Sequence, residues 1–455
     1  MFGWPLVCLT LFVRLPIEAA AIWSLLAGYL LLPSTVSVDV AMMPPLDKST
    51  VPAISTFLLC WMKGTRSPAP LRPPLIYCLA ATFALSPIIT SLNNSYELQI
   101  AGRSLPGFYP LNAVKIGLEN LITLVPFFVG MRFVSSDNGR ALLLKSTSVA
   151  ALFYSLPMLF ELRMSPQLQR LVYGSAPSGF DTLVRAGGYR PIVFLSTGLE
   201  LALFTCMAFI AAVVGVRCKW RLFHVSAGAA AAYLGGLLLL CKTLGSILSG
   251  ALAAPLVLFT KPRTWVRISC FVALTICAYP LLRTHDLIPV NRVAAVANAV
   301  STDRSSSFAF RVENEDKLLS KANQNRFFGW GTWGRNRVYD RQTGEDLAVT
   351  DGLWIIRFGM FGWFGYLSLF GLFATAMFSA LSAVKGRVTE STIVVGGLAL
   401  ILAVNLIDLI PNANLLPLTF LLGGSIAGRA SVSASARTLS RPTSTEAAAE
   451  VDFAA

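Results

Sequence analysis

The most constraining feature of this sequence is a series of apolar runs, each roughly 17–25 residues long and so able to cross a bilayer as a helix. Of the 455 residues, 55% are hydrophobic and only 13% are charged, which is about half the charged fraction of a typical soluble protein. The chain is therefore predicted to be an all-α polytopic membrane protein. Because many apolar runs follow the N-terminal one, we interpret that run as an uncleaved first span rather than a secretory signal.

The apolar pattern predicts about twelve transmembrane helices within a single domain, residues 1–428. The tail 429–455 is rich in Ser, Thr, Ala and Arg and is predicted to be disordered and cytoplasmic. The approximate bounds of the spans are 17–33, 50–63, 74–90, 116–134, 142–160, 191–215, 223–240, 243–260, 264–282, 352–379, 391–409 and 413–428.

The distribution of Lys and Arg predicts the orientation of these spans. Basic clusters lie in alternate loops, at 63–72, 135–145, 216–221, 261–267 and 384–390, and such loops face the cytoplasm in most membrane proteins. Both termini are then cytoplasmic, and the connections 91–115, 161–190 and 283–351 face the periplasm or the cell exterior. The last of these is a long polar loop between spans 9 and 10, a kind of loop that is uncommon unless it is functional.

The charge and the cysteines exclude several other classes of function. The net charge of +14 comes from short clusters between apolar runs, so we expect no nucleic-acid partner. The eight cysteines lie in or beside apolar runs and none has CxxC spacing, so neither a disulfide framework nor a thiolate metal site is expected. We predict no metal and no cofactor.

Arginines on the predicted outer side are candidates for binding an anionic substrate. Arg190 directly precedes Pro191, which is expected to open a span, and its guanidinium suits a phosphate in a forked geometry. The alternative is an arginine that extends to the lipid headgroups. Arg304 and Arg311 are seven residues apart, which places them on one side of a helix; the alternative is a solvated patch paired with the acids at 313–316.

The segment 323–340, "NQNRFFGWGTWGRNRVYD", places Trp330 and Trp333 among three glycines. Glycines allow a tight exposed turn, and indoles in such a turn can stack on sugar rings or anchor at the membrane interface. The sequence leaves both interpretations open.

Ionisable residues within the apolar runs form a further group of candidates, because they are costly in hydrocarbon and usually face a bundle interior or a wet cavity. Glu200 is expected about 15 Å deeper than Arg190 along a helix, as the counter-charge of a buried Arg or Lys. Arg357 is expected to line a cavity or to pair with Glu200 or another acid. The group consists of Glu119, Glu200, Lys242, Arg357 and Asp408.

The stretch 349–367, "VTDGLWIIRFGMFGWFGYL", begins the tenth predicted span with an acidic turn. Asp351 can cap the orphan N–H groups of that helix, or it can face a cavity as a functional carboxylate. Gly359, Gly362 and Gly365 are expected to let a neighbouring helix approach closely.

The order of three motifs resembles the bacterial O-antigen polymerase and O-antigen ligase family, which are GT-C-like membrane glycosyltransferases. "RSSSFAFR" (304–311), "RFFGWGTWG" (326–334) and "VTDGLWIIRFGMFGWFG" (349–365) follow in the family's order within a long loop between spans 9 and 10. The segment from "ELRMSPQL" to "GGYRPIVF" (161–194) is similar to the family's preceding periplasmic loop.

The resemblance implies an enzyme of the bacterial inner membrane whose donor is a polyprenyl-diphosphate-linked glycan. The sequence has no DxD-type or histidine-rich metal site, so we predict a metal-independent reaction. The resemblance also implies that Arg190 and Arg311 hold the diphosphate. The histidine of ligases would fall at or near Asp351, so the chain departs from the ligase pattern there. We therefore predict a polymerase of exopolysaccharide, capsule or O-antigen, with Arg190, Arg311 and Asp351 as catalytic residues. The predicted substrate-binding residues are Glu200, Arg304, Trp330, Trp333 and Arg357.

Two alternatives to the polymerase remain open. A ligase would transfer the finished glycan from its lipid carrier to lipid A core or to protein. A flippase or other transporter of lipid-linked oligosaccharides would also carry charges within its spans, although the one-sided polar loop suits it less. For the polymerase, the expected partners are the lipid-linked glycan, the bilayer and a chain-length regulator protein.

Overall fold

A computed structural model describes residues 1–39, 43–64, 74–175, 183–185, 187–288 and 302–428, with backbone only for 185 and 302–308. Within these ranges the helices are α1 Trp4–Arg14, α2 Ile17–Leu31, α3 Thr50–Lys63, α4 Pro74–Leu92, α5 Pro110–Phe133, α6 Asp137–Met164, α7 Leu168–Tyr173, α8 Gly198–Arg217, α9 Ala227–Leu240, α10 Leu244–Phe259, α11 Pro262–Thr284, α12 Thr302–Gln324, α13 Leu353–Ala383, α14 Glu390–Asp408 and α15 Pro417–Ala427.

Antiparallel hairpins of two short strands connect some of the helices. The strands are β1 Leu98–Ile100 with β2 Arg103–Leu105, β3 Val184–Arg185 with β4 Gly188–Tyr189, and β5 Arg221–Leu222 with β6 Val225–Ser226.

The helices account for the apolar runs of the sequence. Among the described residues, seven helices are long and apolar enough to cross a membrane, namely α4, α5, α6, α8, α11, α13 and α14. Five shorter apolar helices accompany them, namely α1, α2, α9, α10 and α15. The prediction of a mostly helical chain with apolar helices able to cross a membrane is thus confirmed, and each of the twelve predicted spans overlaps one helix. The predicted disordered tail 429–455 lies outside the described residues.

One predicted boundary is wrong. The sixth span does not begin at Pro191, because residues 191–197 are irregular and α8 begins at Gly198. Within the long loop, residues 302–324 form the helix α12. The sequence also did not reveal α1, an 11-residue helix ahead of the first predicted span.

The core of the bundle is built around α8 and α14. In both helices 83% of the most apolar 18-residue window is buried, against 39% in α11 and 44% in α4 and α5. A helix that is apolar all round belongs in the interior of a bundle, with the more exposed apolar helices around it. The first turn of α8 and the last turn of α14 therefore lie on central elements of the fold.

The helix ends gather on two opposite faces. On the face that carries α12, which we call the loop face, Thr90 at the end of α4 donates a hydrogen bond to the Phe328 carbonyl at 2.5 Å. On the other face, which we call the basic face, Arg140 Nε donates to the Ser425 carbonyl at 2.9 Å and Ser391 donates to Asp137 at 2.7 Å. Among the described residues, the predicted basic clusters at 135–145, 216–221, 261–267 and 384–390 lie at helix ends on the basic face.

Helix α1 runs antiparallel to α2. Its indole Trp4 Nε1 donates to the Ser24 carbonyl at 3.3 Å and lies beside Gly28 in the second half of α2. The Phe12 carbonyl near its other end accepts a hydrogen bond from Lys63, which ends α3 on the basic face. The first residues of the chain therefore point toward the loop face, whereas Gly428, at the other end of the described chain, lies at the basic face beside Arg140.

Helix α13 is interrupted at Gly362, whose φ of 58° and ψ of −159° are not helical. The turn 326–331 of the long loop fills this break. Backbone N–H groups of Trp363 and Trp330 donate to the carbonyls of Arg326 and Gly359 at 2.8 and 2.9 Å respectively. Irregular backbone inside a membrane protein is tolerated where other protein groups satisfy it. The expected role of the α13 glycines is thus corrected: an added Cβ would meet the turn at Gly362, Asn336 at Gly359 and Phe361 of the same helix at Gly365, rather than a neighbouring helix.

Candidate active site

An ion pair joins the long loop to the beginning of α13. Asp351 Oδ2 lies 3.4 Å from Arg311 Nε, and about two fifths of each side chain remain exposed, 40% and 37%. The N-cap of α13 is Gly352, and no side chain caps the helix. Asp351 is therefore not the helix cap that the sequence allowed, and its carboxylate is instead held by a guanidinium while remaining open to solvent or ligand.

Arg311 also reaches the segment that follows α14. Its Nη1 donates to the Pro411 carbonyl at 3.4 Å. The same segment supports the start of α13, because the Leu353 N–H donates to the carbonyls of Leu409 and Asn412, both at 3.0 Å. Three segments that are distant in sequence thus meet at Arg311: α12, the turn before α13 and residues 409–412.

A second carboxylate, Asp408, lies next to this junction. Its Oδ1 accepts a hydrogen bond from Asn412 Nδ2 at 3.0 Å, while its Oδ2 is buried without a hydrogen-bond partner. Arg311 is close enough to act on it electrostatically. In the sequence Asp408 is only an ionisable residue in an apolar run, because nothing in a linear sequence connects position 408 to position 311.

A buried arginine holds α12 in place. Arg283, at the end of α11, has only 4% of its side chain exposed, and its Nη2 lies 2.5 Å from Asp316 Oδ1. Its Nε lies 3.9 Å from Glu315, which also accepts a hydrogen bond from the Trp354 indole at 3.2 Å. Burial raises the pKa of Glu315 above its ordinary value, although the nearby Arg283 opposes this shift. Of the predicted acidic patch at 313–316, Glu315 and Asp316 therefore pair with Arg283.

Arg190 lies on a different part of the loop face. Its side chain crosses the start of α8 so closely that a Cβ on Gly198 would lie 2.1 Å from Arg190 Cδ. Its Nη2 is 3.5 Å from the Lys242 carbonyl, and the residue is 95% buried, since its exposure is 5%. The guanidinium of Arg190 is therefore buried against the start of α8 and the residues that follow α9. It does not lie at the first turn of a span, as the sequence predicted.

The irregular segment after Arg190 is fixed by a buried carboxylate that sequence analysis did not single out. Glu161, which is fully buried, accepts hydrogen bonds from the backbone N–H groups of Ile192 and Val193 at 2.8 and 2.7 Å, and from that of Leu168 at 3.0 Å. Backbone groups of an irregular buried segment need such partners. Glu161 therefore sets the path of the chain between Arg190 and α8.

Glu200 lies in the first turn of α8, and so it is not ten residues deep in a span as expected. Its Oε2 accepts a hydrogen bond from the Ser196 N–H at 2.8 Å, and its Oε1 lies 3.7 Å from Lys48 Nζ. The predicted basic counter-charge exists, but it is Lys48 from the segment before α3. The side chains of this pair are 12% and 8% exposed.

The two tryptophans of the glycine-rich turn have different environments. The Trp330 indole donates to the Lys321 carbonyl at 2.8 Å, and Lys321 Nζ lies 3.6 Å from its ring centroid. Trp333 is 46% exposed and meets Phe108 edge to face at 5.7 Å. Trp330 is therefore occupied by protein contacts, whereas the Trp333 ring remains available to a ligand.

Arg357 is packed between α4 and α5 and does not lie next to Glu200. Its guanidinium lies 5.1 Å from the Phe83 ring centroid and 5.7 Å from that of Phe361, and its Nη1 is 3.5 Å from Asn120 Oδ1. The expected pairing with Glu200 is therefore wrong. Arg304 belongs to α12, but its side chain lies outside the described residues, so its proposed role stays a prediction.

In the part of the chain that the structure describes, no three His, Cys, Asp or Glu side chains are grouped closely enough to hold a metal ion. Comparisons with protein-family models, with curated proteins and with solved structures found no match for this chain.

Proposed function

We propose that this chain is a membrane glycosyltransferase that polymerises polyprenyl-diphosphate-linked oligosaccharide repeats into a surface polysaccharide. The observation that carries the proposal is the half-exposed pair of Arg311 and Asp351 on the loop face, with the carboxylate of Asp408 beside it. A guanidinium for a diphosphate and a carboxylate for a hydroxyl proton are the two groups that metal-independent glycosyl transfer needs.

In the proposed reaction, an acceptor hydroxyl oxygen forms a bond to the anomeric carbon of the donor glycan. The bond from that carbon to the lipid diphosphate breaks, and the diphosphate leaves with the electron pair. The hydroxyl proton passes to the Asp351 carboxylate. Arg311 stabilises the negative charge that develops on the leaving diphosphate, which is electrostatic catalysis by a preorganised cation.

The ion pair gives this reaction a switch. Without donor, Arg311 is held by Asp351 at 3.4 Å. A diphosphate carries more charge than one carboxylate and can accept both prongs of the guanidinium. Donor binding thus draws Arg311 toward the phosphates and releases Asp351 to accept a proton, so that the base is freed only when a donor is present.

We place this chemistry at the outer side of the bacterial inner membrane, with the loop face toward the periplasm and the basic loops in the cytoplasm. The helices that coincide with the twelve predicted spans then cross the membrane, and Gly428 lies at the cytoplasmic side. In this orientation the antiparallel packing of α1 on α2 supports a proposed N-terminus near the periplasmic side, whereas the sequence predicted that both termini are cytoplasmic. A chain-length regulator protein is the expected partner.

The test compares chain lengths of the surface polysaccharide in a deletion strain complemented with Arg311→Ala, Asp351→Asn or wild-type protein. Arg341→Ala is the matched control, because Arg341 is an exposed arginine of the same long loop. We expect the first two variants to accumulate single lipid-linked repeats at normal protein levels, and the control to make full-length chains. Full-length lipid-linked chains in the deletion strain would instead point to ligation, and normal polysaccharide from Arg311→Ala would overturn the proposed site.

A further inference from the structure

A second polar cavity, of about 270 Å³, opens on the loop face and is separate from the Arg311–Asp351 pair. It lies between the end of α2, the segments before α3 and the first turn of α8, and residues 415–417 close another side. Small hydroxyl side chains make up much of its wall, namely Ser34, Thr35, Ser37, Ser49 and Ser196. Such a wall offers both hydrogen-bond donors and acceptors.

Two buried polar groups that line this cavity have unused hydrogen-bonding capacity. The Tyr29 hydroxyl has no hydrogen-bond partner although Tyr29 is only 2% exposed. Lys48 Nζ is also buried without a hydrogen-bond partner, since Glu200 at 3.7 Å is too distant. Leaving buried donors unsatisfied costs about 1–3 kcal/mol each. Burial lowers the pKa of Lys48, and the neighbouring Glu200 opposes this shift.

The charges around the cavity favour a neutral ligand over an anion. Lys48 brings one positive charge, whereas Glu200 and Asp47 bring two carboxylates to the same lining. A phosphate would meet both carboxylates, which repel it. A polyol can instead accept hydrogen bonds from Lys48 and Tyr29 and donate hydroxyl protons to the carboxylates, so its hydroxyls match both kinds of group.

A smaller space, of about 90 Å³, adjoins the polar cavity and shares Ser49, Leu415 and Pro417 with it. Its lining is mixed: Ala53 of α3, Pro126 of α5 and Phe420 of α15 are apolar, whereas Ser49, Thr50 and Thr123 carry hydroxyls. The two spaces together offer hydrogen-bonding groups beside apolar side chains, and a sugar ring presents both hydroxyls and apolar carbon.

We infer that this cavity binds a sugar residue of the acceptor glycan, at a distance from its lipid diphosphate, with Lys48 and Tyr29 donating to its oxygens and Glu200 accepting from a hydroxyl. The identification of the occupant as the acceptor rests on the proposed function, since polymerisation needs two lipid-linked substrates. The geometry supplies a separate place for each of them. The segment 411–417 runs from the Arg311 contact at Pro411 to the cavity wall at Leu415 and Pro417.

The experiment uses full-length protein in phosphatidylcholine nanodiscs and photoreactive decyl β-glucoside as the probe, with photoreactive decyl phosphate and decyl tetraethylene glycol for comparison. We expect saturable labelling of peptides that contain residues 29–37 and 47–53 by the glucoside alone. Tyr29→Phe and Lys48→Met should each weaken labelling about 5-fold, as expected for one lost hydrogen bond. Lys385→Met, at an exposed lysine on the basic face, should leave it unchanged.

Tyr29→Phe distinguishes loss of ligand binding from a folding defect. Because this hydroxyl has no hydrogen-bond partner in the protein, its removal should not lower the melting temperature. Equal or stronger labelling by decyl phosphate would overturn the inference, and so would glucoside labelling that Tyr29→Phe does not change.

Arg311→Ala separates the two proposals. It should stop chain growth while glucoside labelling of the cavity persists. If chain growth survives Arg311→Ala but the cavity is still labelled, the proposed function fails and a glycolipid site stands. If chain growth depends on Arg311 but the cavity is not labelled, the inference fails alone.

Discussion

Arg311 of α12 and Asp351, the second residue before α13, lie with Nε and Oδ2 only 3.4 Å apart, although the whole glycine- and tryptophan-rich turn separates them in sequence. Both side chains keep about two fifths of their surface exposed. The pair therefore contributes little to the stability of the fold, because an exposed ion pair stabilises a fold by at most about 1 kcal/mol.

Exchange of Asp351 for Asn should separate activity from stability. We expect Asp351→Asn to lower the melting temperature only slightly, since an exposed pair contributes about 0–1 kcal/mol, but to lower glycan transfer at least about 100-fold by loss of the proton acceptor. Differential scanning fluorimetry and elongation of a lipid-linked glycan measure the two effects. Asp351→Glu should recover part of the activity. Equal losses of stability and activity would assign the pair a structural role.

The break in α13 should depend on glycine at position 362. At φ 58° an added Cβ would lie 2.3 Å from the Phe327 carbonyl carbon, so we expect Gly362→Ala to cost roughly 2–4 kcal/mol of stability from backbone strain and steric clash. Gly371→Ala in the same helix is the matched control, because its nearest foreign atom would be 3.5 Å away. The control should be neutral or slightly stabilised. Comparable melting temperatures for the two variants would contradict the strained break.

Removal of the Arg283 side chain should weaken the packing of α12 and lower the free energy of unfolding. Arg283→Met leaves the mostly buried Glu315 without its cation, and we expect a loss of about 3–5 kcal/mol, as for other broken buried pairs. Asp316 is 58% exposed, so Asp316→Asn is the control and should cost about 1 kcal/mol or less. Chemical unfolding in mixed micelles, monitored by tryptophan fluorescence, measures both.

Glu315 should give stability a definite pH dependence. Because burial raises its pKa in the folded chain, the folded state binds the proton more tightly than the unfolded state does. This contribution is fully present below the unfolded pKa of about 4.3 and is lost as pH rises through the folded value. The melting temperature of Glu315→Gln relative to wild type should therefore increase between pH 4 and pH 7. A difference that is independent of pH would contradict this.

Substitution of the two tryptophans of the turn should affect different properties: stability for Trp330 and substrate binding for Trp333. Trp330→Ala removes an indole that donates to Lys321 and stacks under its ammonium, and we expect it to cost about 2–3 kcal/mol of stability. Trp333→Ala removes a ring that is 46% exposed, so the fold should be kept while KM for the glycan substrate rises. Melting temperature and kinetics of glycan elongation test the pair. A KM unchanged by Trp333→Ala would exclude sugar stacking at this position.

Sequence determined the architecture because helix length and hydrophobicity are properties of local segments. Every predicted span coincides with a helix, since apolar stretches of this length have few alternatives in a membrane. The motifs around Arg311, Trp330 and Asp351 could also be recognised in the sequence, because charges and glycines interrupt otherwise apolar segments. The irregular path of residues 191–197 could not be predicted from the sequence. Glu161, thirty residues upstream, accepts hydrogen bonds from backbone N–H groups there, so the segment does not need to be helical.

Tertiary structure alone decided which charges meet. A linear sequence places Glu200 nearest to Arg190, yet its partner is Lys48, and Arg357 packs against the aromatic ring of Phe83 rather than beside Glu200. The local sequence allows Asp351 either to cap a helix or to pair with a cation. Only the packing of α12 on α13 and on residues 409–412 brings Arg311 next to it. Electrostatic partners depend on distances of a few ångströms in space, and those distances are set by how helices pack rather than by spacing along the chain.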